Sequence, residues 1–198
     1  EMVFSHFHNV DLQGHTYLTF IPDGTEQFGV EKYLDFSKLI YKQTDDYIGE
    51  FVHFLDEGWT IIIVSDHALV SPKHGGRMMG DSTGVNVRVM QELGLCDLKH
   101  DENGHELREM DWSKTKAVAC RGNHIYINLK GKYPHGIVDP ADQYEVEEEV
   151  MTKLYGYKDK VTGKRIISLA LRNQDAVILG LAGPEAGDII YFMAEGYN

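Results

Sequence analysis

The sequence predicts an α/β fold: a mostly parallel sheet flanked by helices, with an α+β excursion. Three stretches carry that expectation. Trp59-Thr60-Ile61-Ile62-Ile63-Val64-Ser65-Asp66-His67 contains a continuous β-prone apolar run, which reads as a buried, parallel strand. Residues 2–10 (Met-Val-Phe-Ser-His-Phe-His-Asn-Val) alternate enough to be another strand. Between them, about Val30 to Leu55, Leu34, Ile40, Tyr47, Ile48, Phe51, Val52 and Leu55 recur at helical steps, and Gly58 closes the segment. Strand, helix and strand in that order read as a right-handed βαβ crossover.

Each expected strand ends on an acid and an imidazole. The first leads into Asp11-Leu12-Gln13-Gly14-His15, with Gly14 permitting a tight backbone before the histidine. The second ends on Asp66-His67. Ligands of open α/β sheets bind beyond the carboxyl ends of the strands, so both pairs are expected on one edge. Aspartate oxygen with imidazole nitrogen suits a divalent cation such as zinc. Alone, Asp66-His67 reads better as a turn cap and a satisfied polar side chain than as a ligand pair; its coincidence with Asp11 and His15 reverses that and favours a metal site. His6 and His8 would share one face of the first strand and read as surface or core imidazoles rather than as rival ligands.

The remaining elements follow in order. Residues 71–76 and 80–84 are Gly-containing loops past the sheet edge, suited to lining a substrate or to plain surface. Val85 to Leu93 reads as a short helix closed by Gly94, and Asp101 to Gly104 as a turn. Thr115 to Cys120 and His124 to Leu129 read as a hairpin joined by Arg121-Gly122-Asn123. Gly131 to Asp139 is a loop, Pro140 to Leu154 an acidic amphipathic helix whose run Glu145 to Glu149 faces solvent, and Asp159 to Lys164 a turn. Ile166 to Leu171, Ala176 to Leu179 and Asp188 to Met193 are further strands. Residues 1–198 read as one partial catalytic domain, with a subdomain or excursion from about 95 to 185.

Composition narrows the chemistry. A net charge of −12 argues against a nucleic-acid duplex or an anionic membrane as the main partner. It would also repel a phosphate substrate unless bound cations reverse the local sign. The two cysteines, Cys96 and Cys120, read as small buried residues. No P-loop, no Gly-x-Ser-x-Gly elbow and no Cys-x-x-Cys pair occurs. No apolar run reaches the length of a membrane span.

The order Asp11-Leu-Gln-Gly-His15, long helix, Ile-Ile-Ile-Val-Ser-Asp66-His67 resembles the alkaline phosphatase superfamily. It is most similar to the type I phosphodiesterase/nucleotide pyrophosphatase and predicted phosphohydrolase/phosphomutase branch. Val85-Asn86-Val87 through Glu92-Leu93-Gly94-Leu95 and Ile125-Tyr126-Ile127-Asn128-Leu129-Lys130-Gly131 resemble later segments of that branch. The resemblance implies a phosphoric-ester hydrolase with two divalent ions, zinc favoured and manganese also fitting. Asp11 and His15 would hold the first ion, Asp66 and His67 the second. Such ions serve an in-line displacement through a Ser or Thr nucleophile and a covalent phospho-enzyme. Phosphomonoesterase, phosphomutase or sulfatase relatives, or a non-catalytic binding domain of the same fold, are the alternatives. Ala68 stands where the family usually has glycine. The nucleophile and its neighbouring aspartate are expected upstream of Glu1, and a third ligand to the first ion beyond Asn198. The chain therefore reads as an excised fragment, inert by itself and holding metal weakly if at all, with a phosphate ester or nucleotide as the substrate of its parent. His74 and Asn123 read as surface residues in preference to substrate contacts, and compartment and oligomeric state have no sequence signal.

Overall fold

The computed structural model describes residues 2–20, 31–69, 79, 87–120 and 123–197. They form two compact units, residues 1–72 and 73–198.

In the first unit, helix α1 (Asn9–Tyr17) passes through a short 3-10 turn, and helix α2 (Glu31–Gly49) is followed by a 3-10 segment, Val52–Glu57. Gly58 ends that segment at φ 85°, a left-handed conformation that glycine adopts without strain. Aromatic contacts tie the pieces together. Phe7 packs on Tyr47 and Phe51, and Tyr17 stacks on Tyr33 and meets Phe36 edge to face. None of the unit's described residues is buried.

Both strands expected here are absent. Residues 2–8 have no regular structure, and the helix begins at Asn9. Residues 59–64 form no regular structure and no strand pairing, with Ile62 79% and Val64 80% exposed. A parallel strand needs neighbours for its backbone groups and cover for both faces. No strand is found among the described residues of this unit, so the apolar run has neither. The βαβ crossover is corrected accordingly, and the single long helix becomes α2 plus a 3-10 extension.

The second unit carries the core. Helix α3 (Arg88–Glu92) ends at Gly94, whose φ of 67° turns the chain so that Leu95 N–H reaches the Met90 carbonyl. Strands β1 (Leu98–His100) and β2 (Glu106–Met110) form an antiparallel pair around the turn at Asp101. The main sheet contains β3 (Ala117–Cys120), β4 (His124–Ile127), β5 (Ile167–Arg172) and β6 (Ile189–Met193), in the order β3-β4-β6-β5. Every neighbouring pair is antiparallel, so the expected mostly parallel sheet is replaced by an antiparallel one. The fold remains a mixture of helices and sheet. The β3–β4 hairpin is present as expected, and Asn123 takes φ 66° at its turn, where Asn is among the best-tolerated non-glycine residues.

Helix α4 (Gln143–Gly156) follows a 3-10 turn at Pro140–Asp142 and packs against β5. Glu147, Val150, Met151 and Leu154 form its buried face at helical spacing. Glu147 therefore departs from the expected solvated run. Its carboxylate accepts from Arg172 Nε at 3.1 Å and from Gln143 Nε2 at 2.8 Å, which compensates its burial. Residues 176–179, expected as a strand, lie in a 3-10 segment instead. Asn173 sets that loop: its Nδ2 donates to the Gly183 and Gly187 carbonyls and its Oδ1 accepts from Gly183 N–H.

Two polar residues order the sheet's periphery. Asp188 accepts from Ile127 N–H at 2.7 Å and pairs with Lys132 at 3.1 Å. Asn128, only 3% exposed, donates through Nδ2 to the Thr115 and His135 carbonyls at 2.9 and 3.0 Å. The Ile-Tyr-Ile-Asn-Leu-Lys-Gly stretch thus owes its asparagine to a loop clamp. The same loop closes so tightly that a Cβ on Gly136 would meet the Leu129 carbonyl oxygen at 2.0 Å. Replacing Asn128 by alanine strands two carbonyls, and a loss of about 1–3 kcal/mol in urea unfolding is expected. The Cys96 thiol is buried, which pushes it up to about 12, with Asp97 adding to it. Iodoacetamide at pH 8 should label Cys96 only after unfolding, read by peptide mass spectrometry.

Candidate metal centre

The candidate site is assembled within residues 1–72, on α1 and the segment after Ser65. Asp11 occupies the first turn of α1 and His15 the last, four residues apart and therefore on one helix face. The position of Asp11 suits its charge, since an acid is favoured near a helix N-terminus. Asp11 Oδ1 lies 3.2 Å from His15 Nε2.

His67 joins this couple from the other segment, its Nε2 3.4 Å from Asp11 Oδ1. Gly14 makes room for the approach: a Cβ there would meet Leu69 Cδ1 at 2.1 Å. The helix face bearing Asp11 and His15 is thus reached by the chain around Leu69, with His67 two residues earlier. Ligand-capable atoms of Asp11, His15 and His67 all lie within 4.8 Å of one another.

The Asp11 carboxylate has two unlike sides. Its Oδ2 meets His8 Nε2 at 2.9 Å. Its Oδ1 is shielded from solvent and makes no hydrogen bond among the described residues, although two imidazole nitrogens stand within ion-pair range. His67 sharpens the point. Its Nδ1 contacts the Ala68 carbonyl at 3.2 Å, and a carbonyl can only accept, so Nδ1 carries the proton. In the neutral ring Nε2 then presents a lone pair toward a carboxylate oxygen. Two acceptors so placed repel unless a cation lies between them or the ring takes a second proton. The donor set of one carboxylate and two imidazoles therefore fits a zinc-type ion.

Asp66 is placed differently. Its side chain is 88% exposed, its Oδ1 accepts from His67 N–H at 3.1 Å, and its Oδ2 is 3.8 Å from His67 Nε2. It stands beside the group of three rather than within it. His6 stacks on His8 with ring centroids 5.1 Å apart. With no strand at residues 2–8, the spacing that matters for His8 is three residues to Asp11, a helical neighbour relation that a strand reading hides. His74 and the loops at 71–76 and 80–84 lie outside the described residues.

The model of the type I phosphodiesterase / nucleotide pyrophosphatase family matches residues 1–198. The chain belongs to that family. The resemblance read from the Asp-x-x-x-His and Ser-Asp-His segments is thereby established, and with it the alkaline phosphatase superfamily branch. Membership implies a phosphodiesterase- or pyrophosphatase-type hydrolase acting on phosphate esters or nucleotides. No curated protein and no solved structure matches the chain. Among the described residues, no helix is long and apolar enough to cross a membrane.

The convergence on Asp11 has a direct readout. Asp11→Ala should shift the long-range 1H–15N imidazole correlations of His8, His15 and His67 together, while His105, held by Asp101, stays in place. Movement of only one of the three would contradict the shared carboxylate.

Proposed function

We propose that this chain carries metal ligands of a metal-dependent phosphodiesterase or nucleotide pyrophosphatase. The observation that supports it most is the meeting of Asp11 Oδ1, His15 Nε2 and His67 Nε2 without hydrogen bonds among them, in a member of this hydrolase family. Asp11 and His15 are assigned to one ion; His67, with Asp66, is assigned to a second. His67 stands close enough to the first couple to serve either ion. Zinc is favoured by mixed carboxylate and imidazole donors, and manganese fits the same set. Ions held there would supply positive charge to the phosphoryl oxygens in an in-line displacement, and would locally offset the chain's net charge of −12.

The chain's own residues have defined tasks in this reading. The His67 Nδ1 contact with Ala68 fixes the tautomer that turns the Nε2 lone pair inward. Helix α1 holds Asp11 and His15 at one spacing, and Gly14 leaves space for the second segment. No Ser or Thr of residues 1–198 is assigned as nucleophile, so we further propose that this chain by itself does not turn over diesters. The resemblance implies a nucleophile that follows a strand, ahead of the Asp11 segment. Residues 1–198 are read as part of the catalytic domain of that hydrolase.

Chelator competition and a chromogenic assay test both parts. The chain should bind Zn2+, and Asp11→Asn or His67→Ala should weaken binding at least tenfold, about 1.4 kcal/mol or more. Asp66→Ala should cost less, because Asp66 stands outside the group of three. Hydrolysis of bis-p-nitrophenyl phosphate by Zn2+-loaded chain should not exceed that of buffer with metal. Equal Zn2+ affinity in all variants would remove the ligand assignment, and substantial turnover would remove the proposal of inactivity.

A further inference from the structure

We infer that His8 is a positioning residue for the Asp11 carboxylate, fixing which of its oxygens faces His15 and His67. The inference rests on the metal reading of those three residues and adds a fourth residue with a different task. A carboxylate can exchange its oxygens by rotating about the Cβ–Cγ bond. Here the two oxygens are not equivalent. Oδ2 accepts from His8 Nε2 at 2.9 Å, and Oδ1 faces His15 and His67 with no hydrogen bond of its own. The ionised carboxylate can only accept, so Nε2 of His8 carries the proton in this contact. A proton-bearing nitrogen has no lone pair to offer a cation. His8 is thus spent on Oδ2 while Oδ1 remains open to a shared ion.

The backbone holds His8 in that role. His8 is the N-cap of α1, and its carbonyl accepts from Leu12 N–H at 3.0 Å. N-cap side chains ordinarily bind the free N–H groups of the first helical turn. The His8 ring makes no such bond and reaches three residues ahead to Asp11 instead. The His6 ring stacks on its face. Metal-binding carboxylates are commonly oriented by an outer hydrogen-bond donor, and removing such a donor weakens metal affinity.

Co2+ titration of the 198-residue chain, followed by its visible d–d absorption and by competition with Zn2+, tests the assignment. His8→Ala should weaken Co2+ binding roughly ten- to a hundredfold and change the d–d band. His8→Gln presents an amide N–H near the position of Nε2, and should restore most of the affinity and the wild-type band. Far-UV circular dichroism of both variants reports whether α1 persists. Wild-type affinity and band in His8→Ala would overturn the inference. So would His8→Gln behaving like His8→Ala with its helix intact, since that result marks His8 as a direct ligand. If the wild-type chain binds no Co2+ or Zn2+ at all, the metal reading fails first and this inference fails with it. Intact wild-type binding with an unaffected His8→Ala removes only the role of His8.

Discussion

The main sheet depends on antiparallel backbone pairing. β3, β4, β6 and β5 each take their hydrogen-bond partners from an antiparallel neighbour. Buried N–H and C=O groups that lack partners are costly, so a buried strand forms only where a neighbour is in reach. Ile125, Ile127, Ile167 and Ile189 meet that condition and are fully buried. Ile62, Ile63 and Val64 have similar strand propensity but no strand neighbour among the described residues of their unit, and they stay irregular and exposed. The difference lies in the surroundings, because the residues are chemically alike.

That contrast explains how the candidate centre forms without the expected sheet edge. Asp11 and His15 need only one helix face, which four-residue spacing supplies within α1. His67 needs the segment after Ser65 to pass over Gly14, where the missing side chain admits Leu69. The resulting group is small and partly open, and its chemistry resides in one carboxylate oxygen left without a hydrogen bond between two imidazoles.

In residues 73–198 polar groups do as much as apolar ones to define the arrangement. Glu147 turns into the core because Arg172 on β5 receives it, and Arg172 also lies over the Tyr144 ring at 4.0 Å. The Arg172 guanidinium pairs with Glu148 as well, which joins the exposed and buried sides of α4 to the sheet. A run of acids reads as a solvated face only when no cation is known to wait inside. Residues 176–179 show the same limit for strands. Ala176 is buried, Val177 and Ile178 are exposed, and the Asn173 clamp curls the segment into a 3-10 turn.

Local pattern alone determined the β3–β4 hairpin, the α4 helix and the stops at Gly58 and Gly94, and it singled out Asp11, His15, Asp66 and His67, three of which the structure brings together. These follow from spacing, glycine conformation and donor chemistry, all properties of neighbouring residues. Tertiary structure alone decided that the main sheet is antiparallel, that residues 59–64 remain unpaired, and that Glu147 is buried. It also decided that His67 joins Asp11 and His15 while Asp66 stays outside. Those outcomes depend on which distant segments supply hydrogen-bond partners, counter-charges and cover, and no window of sequence contains that information.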